Sequence, residues 1–137
     1  VFATPGWRVI KDRGSLLIEP VQEAVKPLLE IKEHPYTPDF MIPRNKATAC
    51  FDADKLQHPL SLRLCRQGDS FVPFGMKGRK KVSDYLTDRK FSLLRKERQW
   101  VLCCGDDIIW LVGERVDNRF RIDKKTRKVL VVSTIDQ

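Results

Sequence analysis

Two apolar runs separated by a short polar turn constrain the fold of this chain most. Residues 101–104 (VLCC) and 108–113 (IIWLVG) are rich in β-branched, aromatic and other apolar residues, and residues 105–107 (GDD) lie between them. Apolar runs of this length, joined by a turn that contains Gly and Asp, are typical of a β-hairpin. We therefore predict that these two runs form the antiparallel strands of a hairpin.

Two more segments show the same organisation. Residues 7–10 and 15–20 flank the turn sequence KDRG, and this predicts a hairpin near the N-terminus. Residues 119–123 and 128–135 flank the polar sequence KKTR, which predicts another hairpin near the C-terminus.

Two single strands precede the central hairpin. Residues 47–52 (ATACFD) have β-branched and aromatic content and are followed by a turn at residues 52–55. In residues 60–69, leucines alternate with other residues, which is the period of a half-buried strand. One face of this strand is apolar and the other carries Arg63.

Two helices are predicted between the strands. Val82, Tyr85 and Leu86 have the spacing of one helical face, so we expect a helix over residues 80–88. Residues 92–100 predict a second helix that carries Leu93, Leu94 and Trp100 inward.

This arrangement predicts an α+β fold: a largely antiparallel sheet with two short helices packed on one face, plus an N-terminal hairpin and a linker. Residues 21–46 contain four prolines and no sustained period, so we expect the linker there. We divide the chain into residues 1–46, the hairpin and connecting segment, and residues 47–137, a folded domain. Because Val1 begins in mid-pattern without a Met, we expect a piece of a larger protein.

Positive charge is concentrated in one segment. The chain has a formal net charge of +8, and residues 66–98 contain ten Lys and Arg against four Asp and Glu. Such a mixture of Lys and Arg suits a phosphate backbone better than one small anion. A solvated basic surface is the alternative interpretation. The candidate RNA-binding residues are Arg66, Lys77, Arg79, Lys80, Lys81, Arg89, Lys90, Arg95, Lys96 and Arg98.

Two glycines lie beside this basic run, at the predicted start of a helix. Only two residues separate Gly75 from Gly78, and no Gly-Lys-Ser or Gly-Lys-Thr follows, so a nucleotide-binding P-loop is excluded. Glycines let a backbone approach a bulky partner closely, and the N–H groups at a helix start favour anions. We therefore predict close approach of a polyanion at Gly75 and Gly78. Phe71 and Phe74, which flank this loop, are candidates for stacking on unpaired bases.

Other classes of site lack a signature. Cys103 and Cys104 are adjacent, no C-x-x-C pair occurs and each His precedes a proline, so we predict no metal site. No G-x-S-x-G occurs, and Asp106 and Asp107 fall in a predicted turn, so we predict no catalytic residue. The four cysteines are expected to be reduced, buried thiols. Without a long apolar run or a signal peptide, we expect a cytoplasmic protein with no membrane partner.

Two segments of the chain together resemble the C-terminal domain of the tRNA(Ile)-lysidine synthetase family. They are GDSFVPFGMKGRKKVSDYLTDRKF and WVLCCGDDIIWLVGERVDNRF. The resemblance covers roughly residues 60–135. Two positions depart from the family pattern: Ser70 stands where the family frequently has Arg, and Val112 stands where it frequently has Pro. A contact made by that Arg in the family is therefore not carried over to this chain. The shared pattern falls on Gly68, Asp69, Phe71, Pro73, Gly75, Gly78, Lys80, Lys81, Ile109, Trp110 and Gly113.

The resemblance implies that the parent enzyme uses ATP, with magnesium, and lysine to convert the wobble cytidine of the CAU-anticodon isoleucine tRNA to lysidine. In that family the chemistry lies in an N-terminal domain with a Ser-Gly-Gly-x-Asp-Ser pyrophosphate loop, which does not occur in this chain. We therefore expect a fragment that is inactive alone, holds no cofactor and binds the acceptor-stem region of the tRNA beside its own catalytic domain. The alternative is a protein-interaction or dimerisation module with a basic surface, which meets an acidic face of its own catalytic domain or forms a homodimer.

Overall fold

The computed structural model describes residues 7–12, 15–20, 26–43 and 45–135. The strands in these ranges are β1 (Trp7–Asp12), β2 (Ser15–Pro20), β3 (Leu28–Pro35), β4 (Thr48–Asp52), β5 (Leu60–Leu64), β6 (Ser70–Phe71), β7 (Lys80–Lys81), β8 (Trp100–Cys104), β9 (Asp107–Leu111), β10 (Arg115–Val116) and β11 (Lys128–Ile135). The helices are α1 (Val82–Asp88) and α2 (Leu93–Glu97), with 3-10 helices at Ala53–Lys55 and Asn118–Phe120.

An antiparallel sheet of four strands forms the centre of the domain, in the order β10-β9-β8-β5. Its inner pair, β8 and β9, is the hairpin predicted over residues 101–113, which is confirmed. The register shifts between Leu102 and Cys103, because β9 contributes an extra residue, Ile109, opposite this point of β8. The N-terminal hairpin is also confirmed, because β1 pairs antiparallel with β2.

A second sheet has the order β3-β11-β4 and corrects two of our predictions. β11 pairs with β3 along its full length, so the expected linker over residues 21–46 is wrong at residues 28–35. Residues 21–25 and 44 lie outside the described residues. Most side chains of β3 are exposed, as on an edge strand, and its partner lies about a hundred residues away in sequence. Local periodicity therefore carries almost no signal for this strand. The domain boundary at residues 46 and 47 stays a prediction.

The second correction concerns the C-terminal hairpin. Residues 119–123 do not pair with β11, because Asp117 caps a 3-10 helix at Asn118–Phe120. The Asp117 side chain accepts a hydrogen bond from the Arg119 N–H, and this favours a helical turn over an extended strand. β11 instead lies between β3 and β4.

The four-stranded sheet has an apolar cluster on each face, and the resulting layers confirm the α+β prediction. Cys103 belongs to one cluster and Cys104 to the other, as expected for neighbours on a strand. The cluster under the helices contains Phe71, Val82, Tyr85, Leu86, Phe91, Val101, Cys103, Ile108 and Leu111. The cluster under the second sheet contains Ala49, Phe51, Leu102, Cys104, Ile109, Trp110, Phe120 and Val132.

Both helices are shorter than predicted. Lys80 and Lys81 form β7, which pairs with β6, so α1 begins at Val82. α2 ends before Trp100, which lies in β8, and its buried residue is Leu94, whereas Leu93 is exposed. Neither helix in the described ranges is long and apolar enough to cross a membrane.

Candidate nucleic-acid interface

The ten candidate RNA-binding residues lie on consecutive elements around the two helices. Arg66 follows β5, and Lys77 and Arg79 belong to the loop that leads into β7. Arg89 and Lys90 connect α1 to α2. Seven of the ten are exposed, while Lys80, Lys96 and Arg98 are half-buried. We refer to these ten residues together as the basic surface.

Half of the basic surface forms no hydrogen bond or salt bridge through its side chains. Within the part of the chain that the structure describes, five of the ten side chains form no hydrogen bond or salt bridge. They are Arg66, Lys77, Lys81, Lys90 and Arg98. Their donors are therefore available to an external anion, and Lys and Arg are the side chains that bind phosphate most strongly.

The structure distinguishes two lysines that look equivalent in the sequence. Lys80 forms an ion pair with Asp88, at the end of α1. Lys81 is the next residue on the same strand, is exposed and has no such partner among the described residues. Because part of the charge of Lys80 is neutralised internally, Lys81 is the stronger candidate for binding an anion.

Two arginines of the basic surface also have internal roles. Arg89 Nε lies 3.2 Å from Glu114 Oε2, which ties the end of α1 to the segment after β9. The guanidinium of Arg95 lies 3.9 Å from the centre of the Phe91 ring, a cation–π geometry. Two more residues of the basic surface donate hydrogen bonds to hydroxyl groups. Arg79 donates to Ser70 Oγ, and Lys96 donates to Thr87 Oγ1.

A cleft between α1, α2 and the segment after β5 brings two basic residues together. Arg66 and Lys96 both line it, with the apolar Val82, Leu86 and Leu93 as its other main walls. The cleft encloses about 380 Å³. In the described residues, no group of three or more His, Cys, Asp or Glu side chains is placed to hold a metal ion.

The loop that carries Gly75 is hydrogen-bonded to the segment after β9. Asn118 accepts from the Gly75 N–H at 3.2 Å and donates to the Met76 carbonyl at 3.1 Å. Arg115 donates to the Phe74 carbonyl at 2.9 Å. The N–H of Gly75 is therefore used within the protein, in agreement with the exclusion of a P-loop.

The two glycines of this loop have different backbone requirements. Gly75 has a φ of +87°, in the left-handed region that favours glycine, whereas Gly78 does not. A Cβ atom at Gly78 would meet nothing within 4 Å in the domain itself. The domain alone therefore does not require glycine at position 78, and the predicted close approach of a partner there remains a prediction.

The first N–H of α1 is also used internally. Val82 N donates to the Asp69 carbonyl at 2.9 Å, so this N–H group is not available to an anion. Arg79, Lys80 and Lys81 precede the helix and provide the positive charge at this point through their side chains.

A buried carboxylate anchors the start of the same loop. Asp117 is 0% exposed and its side chain accepts from Val72 N at 2.9 Å and Arg119 N at 2.7 Å. It also accepts from Arg119 Nε and Nη2, each at 3.0 Å. The hydrogen bonds to Asp117 raise the pKa of Arg119 above its usual value. Asp117 thus joins the segment after β6 to the 3-10 helix at Asn118–Phe120.

A second carboxylate orders the turn before β6. Arg63 donates to both oxygens of Asp69, at 2.8 and 3.0 Å, and the Arg66 N–H donates to Asp69 Oδ2 at 2.6 Å. Burial by itself would raise the pKa of Asp69, but the hydrogen bonds and positive charges of Arg63 and Arg66 outweigh it and lower the pKa. The ionised carboxylate therefore fixes the turn that leads to the basic surface.

The two phenylalanines proposed for base stacking lie in different surroundings. Phe71 is 0% exposed and packs in the core against Tyr85, so its predicted stacking role is wrong. It is the inward residue of β6, and the pairing with β7 that buries it was not predicted. Phe74 is 46% exposed and keeps an accessible ring.

The family described as TilS substrate C-terminal domain matches residues 60–133 of this chain. The chain belongs to this family. Two bacterial proteins named tRNA(Ile)-lysidine synthase are similar over almost the whole chain. The protein of Bacteroides thetaiotaomicron is 58% identical, over 98% of this chain and 32% of its own length. The protein of Parabacteroides distasonis is 47% identical, over 97% of this chain and 34% of its own length. The chain thus spans about a third of the length of these curated relatives.

Solved structures support the fold of this TilS C-terminal domain. A crystal structure of a TilS C-terminal domain matches with a TM-score of 0.62 and 19% identity, over 80% of this chain and 85% of that one. An N-terminal fragment of the phenylalanyl-tRNA synthetase β-subunit from Pyrococcus horikoshii matches with a TM-score of 0.54 and 16% identity, over 64% of this chain and 27% of that one.

Sequence reasoning missed the residues that hold the Gly75 loop in this TilS C-terminal domain. Arg115, Asp117 and Asn118 lie about forty residues after the loop that they anchor. The doublet Asp117-Asn118 carries a signal, because both residue types are common at helix N-caps and turns. Our prediction of a strand from residue 119 concealed that signal.

Proposed function

We propose that this domain binds tRNA through the basic surface, as the C-terminal part of a tRNA(Ile)-lysidine synthase. The observation that carries the proposal is a set of five basic side chains that form no hydrogen bond or salt bridge in the described residues: Arg66, Lys77, Lys81, Lys90 and Arg98. Such a set of Lys and Arg around two helices suits a polyanion with regularly spaced phosphates. The two relatives named tRNA(Ile)-lysidine synthase support tRNA as that polyanion.

The proposed contact is with the acceptor-stem side of the CAU-anticodon isoleucine tRNA. A-form RNA presents phosphates and 2′-hydroxyls more readily than base edges, which suits a surface of flexible cations. The loop around Gly75 and the turn at Asp69 are both hydrogen-bonded to the rest of the domain. Lys77 and Arg66 therefore project from supported backbone, which reduces the entropy lost on binding.

The chemistry of the whole protein is proposed to lie outside this chain. In that proposal a catalytic domain uses ATP, with magnesium, and lysine in the cytoplasm, while this domain positions the tRNA. The basic surface does not suit ATP as a resident cofactor, because the Gly75 N–H that a phosphate loop would offer is bonded to Asn118. We expect the 137-residue chain to be inactive on its own.

The decisive experiment compares neutralising substitutions in a tRNA-binding titration at several salt concentrations. Lys77→Gln and Lys81→Gln should each weaken binding, and each should reduce the magnitude of the slope of log K against log salt by about 1 per lost phosphate contact. Lys80→Gln should have a smaller effect, because Lys80 is paired with Asp88. Lys124→Gln is the matched control, since Lys124 is exposed and lies in the turn before β11.

The same titration tests which part of the tRNA is bound. An acceptor-stem minihelix should compete with the full tRNA, and an anticodon stem-loop should not. If Lys77→Gln and Lys81→Gln bind tRNA as tightly as Lys124→Gln, with unchanged salt slopes, the basic surface is not the binding site.

Gly78 provides an independent test of close approach. Gly78→Ala should leave the melting temperature unchanged, because the added Cβ has no neighbour within 4 Å. If the RNA backbone approaches this glycine, the same variant should lose tRNA affinity. Unchanged affinity would remove Gly78 from the interface.

The alternative function is protein interaction or dimerisation through the basic surface. Sedimentation of the chain at rising concentration, with and without tRNA, separates the two functions. A dimer that dissociates on Lys77→Gln or Lys81→Gln, in a chain that does not bind tRNA, would favour the alternative.

A further inference from the structure

A groove that the basic surface does not include runs along Phe74. Its two adjoining parts enclose about 320 and 240 Å³, and both are lined by Pro43, Thr48, Phe74 and Val116. Lys46 and Arg115 line the first part, and Arg121, with Ile42 and Ile122, lines the second. The groove therefore has apolar walls along its length and cations in both parts.

Phe74 presents its ring to this groove from a fixed backbone. The Phe74 N–H donates to the Val116 carbonyl at 3.0 Å, and the Phe74 carbonyl accepts from Arg115 Nη2 at 2.9 Å. The side chain is nevertheless 46% exposed. A rigidly held and accessible aromatic ring is the feature that single-stranded RNA-binding surfaces use to stack a base.

The two arginines beside Phe74 keep their charge uncompensated. Arg115 Nη2 donates to the carbonyl of Phe74, and Arg121 Nη1 donates to the carbonyl of Asn118 at 3.0 Å. Neither guanidinium forms a salt bridge with a carboxylate among the described residues. Each fixes its position through a neutral acceptor and retains further N–H donors, which suits a phosphate on either side of a stacked base.

Among the described residues, Glu114 is the one acidic side chain that lines the groove. Its side chain is 7% exposed, and its Oε2 atom lies 3.2 Å from Arg89 Nε and 3.9 Å from Lys46 Nζ. Its charge is therefore balanced by basic neighbours and does not oppose an anion at Arg115 or Arg121.

We propose that this groove binds an unpaired nucleotide of RNA, with its base stacked on Phe74 and its flanking phosphates held by Arg115 and Arg121. The proposal rests on the proposed RNA-binding function and adds a site for single-stranded RNA to a surface for duplex phosphates. One loop connects the two sites, since Phe74 and Lys77 are three residues apart. Both sites can therefore be contacted by one RNA that carries a duplex and an adjoining single strand. Uncompensated cations in both parts of the groove favour this occupant over an apolar peptide.

The test compares two RNA probes with the 137-residue chain: a blunt duplex, and the same duplex with a four-nucleotide 3′ overhang that carries 2-aminopurine. The overhang should tighten binding about five-fold or more, the gain expected for one stacked base. The 2-aminopurine fluorescence should change as the base stacks. Phe74→Ala should abolish both effects and leave binding of the blunt duplex unchanged, whereas Phe74→Trp should retain them.

Met76→Ala is the matched control. Met76 lies on the same loop and is also 46% exposed, but it does not line the groove. It should therefore keep the full gain from the overhang. Arg115→Gln and Arg121→Gln should each reduce that gain, with smaller effects on the blunt duplex.

The outcomes separate this proposal from the proposed function. If the blunt duplex binds and the overhang adds nothing, or if Phe74→Ala keeps the gain, the groove does not hold a nucleotide and RNA binding by the basic surface stands. If neither probe binds, both proposals are wrong. If Phe74→Ala abolishes self-association of the chain and leaves the overhang gain intact, the groove is a protein interface and the nucleotide site is refuted.

Discussion

Replacing Asp117 with Asn should destabilise the domain strongly, although the two side chains have nearly the same shape. The two oxygens of Asp117 accept four hydrogen bonds: one from Val72 N, and three from the N, Nε and Nη2 of Arg119. Each oxygen serves two of these donors. In either orientation of an Asn side chain, its NH₂ group would replace one oxygen and face two N–H donors.

The magnitude follows from those two lost hydrogen bonds. A hydrogen bond to a charged group contributes about 1.5–3 kcal/mol, and a buried donor without an acceptor carries a further desolvation cost. One of the two affected donors is a backbone N–H, of Val72 or of Arg119, next to a side chain that is 0% exposed. The other belongs to the Arg119 guanidinium, whose side chain is 32% exposed, so water can partly replace its partner. We therefore expect a loss of about 3 kcal/mol in the free energy of unfolding.

Urea unfolding followed by tryptophan fluorescence measures this change directly, and a melting temperature lower by on the order of 10 °C should accompany it. Asp106→Asn is the matched control, because Asp106 is exposed in the turn between β8 and β9 and should change stability by less than about 0.5 kcal/mol. A loss below 1 kcal/mol for Asp117→Asn would refute the reasoning, since the four hydrogen bonds would then not support the loop.

Three further predictions concern other parts of the domain. The pKa of Asp69 is lower in the folded state than in the unfolded state. The ionised Asp69 therefore contributes its full stabilisation above the unfolded pKa of about 3.9, and this contribution is lost as the pH falls through the lower folded pKa. Urea titrations from pH 6 to pH 2 should show that Asp69→Asn lacks this part of the acid dependence. Lys90 has a φ of +67°, so Lys90→Gly should stabilise the domain by about 1 kcal/mol, whereas Lys90→Ala, which also removes the charge, should not. Val132 is 0% exposed between the two sheets, so Val132→Ala should lower the free energy of unfolding by about 2 kcal/mol. Val131 is half-buried, so Val131→Ala should lower it clearly less. Equal losses would contradict the packing of the second sheet.

Local patterns were sufficient where neighbours in sequence are also neighbours in space. The β8–β9 hairpin and α1 could be predicted because a short turn, or one helical face, contains all the information that defines them. The basic surface could be located for a similar reason, since its ten residues lie within a single segment of 33 residues. The pattern that resembles the family lies in the same part of the chain, and the family match to residues 60–133 includes it.

Tertiary structure decided the features that depend on residues far apart in sequence. β3 exists because β11 pairs with it, and Phe71 is buried because β7 pairs with β6. The sequence alone determined that the chain folds as an α+β domain with a concentrated positive charge. Only the folded structure determined which of those side chains form internal hydrogen bonds or salt bridges. Lys80 and Lys81 are identical in chemistry and adjacent in sequence, yet the position of Asp88 neutralises one and leaves the other available.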